Sequence, residues 1–241
     1  MHPPPTSAAR TPSPPPSAPP PSPRPRRTRW LGPGRTAALL TVAAGLLTAL
    51  VAARWGPLIA FDRTVAEGLH RPAVAEPGLT RANRLLTDWI WDPWTMRLLA
   101  AVAVVAVWLR GERLLALWVA AASALGAAVS QGLKWAVGRE RPQWPDPVDS
   151  AHFAAYPSGH AMAATVTCGL LLWLMWRHGV GRWPWRAAVA VAAVSVVGVG
   201  ITRLWLGVHW SSDVLGGWLL GGAVVAFSIA LFRRVTLSRE P

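Results

Sequence analysis

Apolar residues come in six runs along this chain, separated by shorter stretches that hold nearly all of its charge. Thr36–Ala53 is free of charge for 18 residues, Leu114–Leu133 for 20 and Val214–Phe232 for 19. Each approaches the ~20 residues a helix needs to cross the hydrocarbon core of a bilayer. Ala161–Trp176 and Ala187–Thr202 are shorter, at 16 residues each, but Trp and Arg flank them and can sit at the interface. Leu98–Leu109 reaches span length only if Trp94–Met96 and a snorkelling Arg97 extend it. The pattern predicts an all-α fold, an integral membrane bundle of six transmembrane helices spread over residues 36–235. In the long mixed connection 54–97, Leu58–Leu69 reads as an amphipathic helix lying on the outer surface. Residues 1–35, crowded with Pro, Ser and Arg, read as a disordered cytoplasmic tail. A docking segment for a partner's aromatic groove is the other reading of that tail. The first apolar run lacks an A-x-A site and follows about 35 polar residues, too many for a signal peptide, so an uncleaved span is expected.

Composition agrees with a membrane protein. Hydrophobic residues make up 52% of the 241 positions, with 16 Trp, and mean hydropathy is +0.31. A formal net charge of +13 raises the question of nucleic acid. The arginines are scattered between apolar runs and cluster only in the tail, so no nucleic-acid partner is expected. They fit anchoring against anionic lipid instead. With the tail inside, 14 basic residues fall on the cytoplasmic side and 10 outside, which orients a multi-pass plasma-membrane protein with both termini cytoplasmic. The loops 134–160 and 203–213 then share the outer face. Cys168 is alone, which excludes an intrachain disulfide and a thiolate metal cluster, and it reads as a small buried hydrophobe.

Those two loops carry the candidate chemistry. Lys134, the one lysine among 24 basic residues, ends the third run, and Arg141-Pro142 follows. Alone, Lys134 reads as a snorkelling anchor. With Arg141 and Arg203 it forms a set of three cations suited to phosphate oxygens. Pro157-Ser158-Gly159-His160 opens the fourth helix: Ser158 is a natural N-cap, and the free N–H groups near Ser158 and Gly159 suit an anion. The plainer reading is a capped helix with an incidental His160. Asp213 stands four residues after His209, on the same face if the segment is helical, where it can fix the imidazole tautomer. It can equally cap the last helix, although Ser211 and Ser212 are available for that. Gly217 and Gly221 permit close helix packing, within the chain or in a homodimer. Together these features read as a phosphoryl-transfer site without metal or cofactor, set for a membrane lipid substrate. Asp146 and Asp149 read as solvated loop residues.

Lys134-x6-Arg141-Pro142, Pro157-Ser158-Gly159-His160 and Thr202-Arg203-x5-His209-x3-Asp213 resemble, in order and spacing, the tripartite signature of the type 2 phosphatidic acid phosphatase and vanadium haloperoxidase superfamily. Thr202 stands where a serine is usual. Six spans resemble the membrane-bound branch. The resemblance implies that His209 attacks phosphorus to give a phosphohistidine, with Asp213 orienting it. It implies that His160 protonates the leaving oxygen, while Lys134, Arg141, Ser158, Gly159 and Arg203 hold the phosphate. The substrates it suggests are polyprenyl diphosphates, phosphatidate or phosphatidylglycerophosphate, and an outward-facing site favours undecaprenyl diphosphate. A vanadate-dependent haloperoxidase and a non-catalytic lipid-phosphate-binding protein are the competing classes.

Overall fold

The computed structural model describes residues 32–238. Among them it contains helices and no strand. The tail expected over 1–35 therefore lies outside the described residues except for its last four. Those belong largely to the first helix, α1 (Pro33–Ala52), which starts earlier than the charge-free run because Pro at its first position suits a helix N-terminus.

Two helices then occupy the long connection 54–97, in which only Leu58–Leu69 was expected to be helical. α2 (Gly56–Ala75) extends well beyond the amphipathic segment expected there, and its buried residues Asp62, Ala66, His70 and Ala73 form one stripe. α3 (Pro77–Leu85) runs into a π-helical stretch, Leu86–Ile90, before α4 (Pro93–Leu109). Hydropathy could not show the full length of α2 or the presence of α3, because both are amphipathic and carry proline. Four long helices complete the bundle: α5 (Arg113–Val137), α6 (Gly159–Arg177), α7 (Arg182–Trp205) and α8 (Ser211–Leu237). Among the described residues, six helical runs are long and apolar enough to cross a membrane, the second being Pro77–Leu109.

α6 is the central helix, packed against α4, α5, α7 and α8, while α1 covers α8. Met162, Val166, Leu170 and Trp173 of α6 meet Val119 of α5 and Phe232 of α8 in the main core. Ala164 faces Trp91, Met96 and Val199 in a second cluster. The α6–α8 contact depends on missing side chains. A Cβ on Gly217 would stand 2.7 Å from the Ser158 carbonyl oxygen, and one on Gly221 would stand 2.8 Å from Thr165 Cβ. The Gly217/Gly221 stripe is thus spent on packing within the chain. Cys168 is half-buried rather than buried. The ends of α5 and α7 and the starts of α4, α6 and α8 meet at one end of the bundle, and the candidate residues collect there.

Candidate active site

Two chain reversals set the site. α5 stops at Gly138, whose φ of 57° is the left-handed conformation glycine adopts without strain, and its N–H returns to the Lys134 carbonyl. α7 stops in the same way at Gly207, φ 64°. A side chain there would also collide with Trp144, whose Nε1 donates to the Gly207 carbonyl at 2.9 Å. Lys134 is left in the last turn of α5, Arg141 in the loop beyond, Arg203 in the last turn of α7 and His209 in the short link to α8.

A cavity of about 430 Å³ joins these residues: Lys134, Arg141, Gly159, His160, Arg203 and His209 all line it. It continues down α5 past Ser130, Gly126 and Ser123. From Lys134 to Ser123 that path covers about 16 Å at 1.5 Å per residue. One end is therefore cationic, and the other runs between membrane-spanning helices.

Lys134 and Arg141 are positioned by carbonyls. Lys134 Nζ donates to Ala154 O at 2.6 Å. Arg141 donates to Phe153 O, His152 O and Val208 O. Burial lowers its pKa, but from so high a starting value that a guanidinium stays charged. Arg203 is 4% exposed, and its Nε has no partner among the described residues. An unpaired buried donor is costly, and Arg203 lines the cavity. Thr87 of the π-helical stretch sits 3.4 Å from its other arm.

Ser158 caps α6 by accepting from Ala161 N, and its own N–H is tied to the Asp213 carbonyl at 2.9 Å. The start of α6 leaves the Gly159 and His160 N–H groups without helical acceptors, and both residues line the cavity. His160 Nε2 lies 3.9 Å from Asp92 Oδ2, a neighbour that the sequence did not suggest.

His209 is 1% exposed. Its Nδ1 faces Asp213 Oδ2 at 3.4 Å, and its Nε2 faces an Arg141 amine at 3.2 Å. Carboxylate oxygens only accept and a guanidinium only donates, so the ring is in the Nδ1–H tautomer with a bare Nε2. Burial pushes the His209 pKa well below the ordinary value, and Arg141, Arg203 and Lys134 add to this, so the imidazole is neutral.

Asp213 was expected to leave capping to Ser211 and Ser212. Its Oδ2 accepts from Trp210 N at 2.9 Å as well as facing His209, while the two serines turn to Asp62. Asp146 is exposed yet pairs with His70 at 3.0 Å, which holds its pKa low. Asp149 lines the cavity. Sequence reasoning missed Asp62 and Arg139 altogether. Arg139 lies within the first signature element, but the carboxylates it joins are 77 and 74 residues away.

Similarity to known proteins centres on the same part of the chain. A model of the PAP2 superfamily matches residues 115–237. Phosphatidylglycerophosphatase B of Bacillus subtilis (strain 168) is 37% identical over 90 residues, covering 37% of this chain and 44% of that protein. Undecaprenyl-diphosphatase of Sulfolobus acidocaldarius is 33% identical over 87 residues, 36% of each chain. The chain thus spans less than half the length of these relatives. The crystal structure of a transmembrane PAP2 type phosphatidylglycerolphosphate phosphatase from Bacillus subtilis superposes with a TM-score of 0.72 at 20% identity. That likeness of fold covers 83% of this chain and 97% of the other.

Proposed function

Because the chain belongs to the PAP2 superfamily, we propose that it is a multi-pass membrane phosphatase that hydrolyses a lipid phosphate or diphosphate through a phosphohistidine. The observation that carries this reading is the bare Nε2 of His209 opening on a cavity that holds three cations. A neutral imidazole with its Nδ1–H on a carboxylate is a ready nucleophile.

In the first step the Nε2 lone pair forms a bond to phosphorus, and the bond from phosphorus to the leaving oxygen breaks. The electron pair goes to that oxygen, which takes a proton from His160. Asp213 stabilises the positive charge that develops on His209. In the second step His160 removes a proton from water, the hydroxide attacks phosphorus, and the P–N bond returns its pair to Nε2. Arg141, Lys134 and Arg203, with the N–H groups near Ser158 and Gly159, hold the equatorial oxygens throughout. The amine that Arg141 directs at Nε2 turns to a phosphate oxygen before attack. These groups neutralise the charge that a metal would otherwise take. The part of the cavity along α5 suits a lipid chain. A site at the outer face of the plasma membrane makes undecaprenyl diphosphate the favoured substrate over phosphatidate and phosphatidylglycerophosphate.

The test is phosphate release by detergent-purified protein in excess chelator from those three lipids. His209→Ala should abolish it. His178→Ala, at the opposite end of α6 and paired with Glu112, should retain it. Substantial turnover by His209→Ala would sink the mechanism, and release that needs added metal would sink the metal-independent reading.

A further inference from the structure

Behind Asp213, away from the cavity, the structure holds a second buried carboxylate. Asp62, on α2, is 1% exposed. Its Oδ1 accepts from Ser211 Oγ at 2.5 Å and Ser212 N at 2.9 Å. Its Oδ2 accepts from Ser212 Oγ at 2.5 Å and from Arg139 at 2.7 Å. All four lone-pair positions of the carboxylate are thereby used. The other arm of Arg139 donates to Asp213 Oδ1 at 2.7 Å and to Ser212 Oγ at 2.6 Å. Its guanidinium lies over the Trp210 ring at 5.6 Å, and Trp210 N–H is itself on Asp213 Oδ2.

We infer that Asp62 and Arg139 are positioning residues for the nucleophile, acting on His209 through Asp213. The inference rests on the proposed phosphatase reading. Three features support it. Asp62 and Arg139 line a separate small pocket with Trp210 and do not line the cavity that holds His209, so they have no path to substrate. The donors on Asp213 are divided by oxygen: Arg139 fixes Oδ1, which leaves Oδ2 directed at Trp210 N and His209 Nδ1. A carboxylate held on one side only can rotate, and His209 then loses the partner that selects its tautomer. Finally, two buried carboxylates share one guanidinium. For stability alone this is a poor arrangement, since apolar residues can replace buried ion pairs at little or no loss. Such an arrangement does suit the outer support that fixes a reacting group's geometry. Asp62 lies outside residues 115–237, so the family match does not mark it.

Four single variants and one double variant test this: Asp62→Asn, Arg139→Gln, Arg139→Lys, Asp213→Asn, and Asp62→Asn with Asp213→Asn. Asp62→Asn keeps the shape and removes the charge. It should lower kcat per folded protein for the preferred lipid about 10–100-fold, with KM within about twofold. It should also lower the melting temperature of the detergent-solubilised protein, because the amide N–H groups meet donors that the carboxylate accepted from. Arg139→Lys should recover part of what Arg139→Gln loses. If Asp62 acts through Asp213, adding Asp62→Asn to Asp213→Asn should cost less than about twofold more. Wild-type kcat in Asp62→Asn, a fall in melting temperature with kcat per folded protein unchanged, or independent multiplication of the two losses would each overturn the inference. A readout free of turnover separates this from the substrate reading. In protein labelled with ¹⁵N-histidine, His209 should be wholly Nδ1–H in the wild type and mixed in Asp62→Asn and Arg139→Gln. If that shift occurs while no lipid releases phosphate, the phosphatase reading fails and the positioning chain stands. An unchanged tautomer in both variants overturns the chain.

Discussion

At the scale of the residue, what matters is which proton and which lone pair each side chain presents. The depressed pKa of His209 has a definite consequence below neutrality. The group is held neutral when folded and titrates near 6.5 when unfolded. As pH falls through about 6.5 the unfolded chain takes the proton first, so the stability linked to this site is present above that value and declines below it. In the protein without substrate, His209 should still be neutral at pH 6, read from its ¹⁵N shifts. An imidazolium signal for His209 at that pH would contradict the arrangement. Arg203 offers a second check, because its Nε is a buried donor without a partner among the described residues. Arg203→Lys keeps the charge but removes the planar fork. It should reduce kcat/KM by about 10²-fold or more, the scale of losing one donor to a developing oxyanion. Near-wild-type kinetics would mean that only charge is needed there. The candidate side chains were legible because His209 and Asp213 are four apart and the other elements have characteristic spacing. Asp62 was not, since nothing near it in the chain distinguishes a buried carboxylate from a solvated one on an amphipathic helix.

Elements bring those residues to within a few ångströms of each other, and α6 and α8 contribute most. Their N-termini meet where Ser158 N–H reaches the Asp213 carbonyl, so the helix that offers N–H groups and the helix that holds the carboxylate move together. Gly217 permits that approach. The atom its Cβ would meet at 2.7 Å is the Ser158 backbone oxygen, which cannot swing aside as a side chain can. Gly217→Ala should therefore destabilise the protein by roughly 1–3 kcal/mol and lower kcat more than its effect on folding would explain. Melting temperature and turnover on the same preparation are the check. Gly132→Ala is the control, because a Cβ there meets nothing within 4 Å among the described residues, and it should hold or raise stability by up to about 1 kcal/mol. Equal behaviour of the two variants would remove the packing argument. Charge-free runs disclosed the long helices well, with ends differing by a few residues. They were silent about α2, α3 and the π-helical stretch, where Thr87 meets Arg203. Those segments bury only a stripe, so their pattern matches a surface helix or a loop equally well.

For the whole molecule, the remaining question is which side of the membrane the site faces. Exposed tryptophans fall in two bands. Trp55, Trp94 and Trp135 lie toward the end with the cavity, and Trp108, Trp176 and Trp183 lie toward the other. Two such belts suit two interfaces, but they are symmetric and give no direction. Direction comes from charge: the loops and terminal segments at the far end include Arg110, Arg113, Arg177, Arg182, Arg233 and Arg234, and basic residues concentrate on the cytoplasmic side. At the cavity end, Lys134, Arg141 and Arg203 are drawn into the site and Arg139 into its ion pairs, so these basic residues have local reasons to be there. The cavity should thus open outward, and labelling can decide this. Phe153, 87% exposed on the loop before α6, becomes a cysteine in one variant. Ser238, just beyond α8, becomes a cysteine in another, both with Cys168 changed to Ala. A membrane-impermeant maleimide on intact cells should modify Phe153→Cys and leave Ser238→Cys until the cells are opened. The opposite pattern would put the site in the cytoplasm and restrict the substrate to inner-leaflet lipids, which would remove the argument for an outer-leaflet diphosphate.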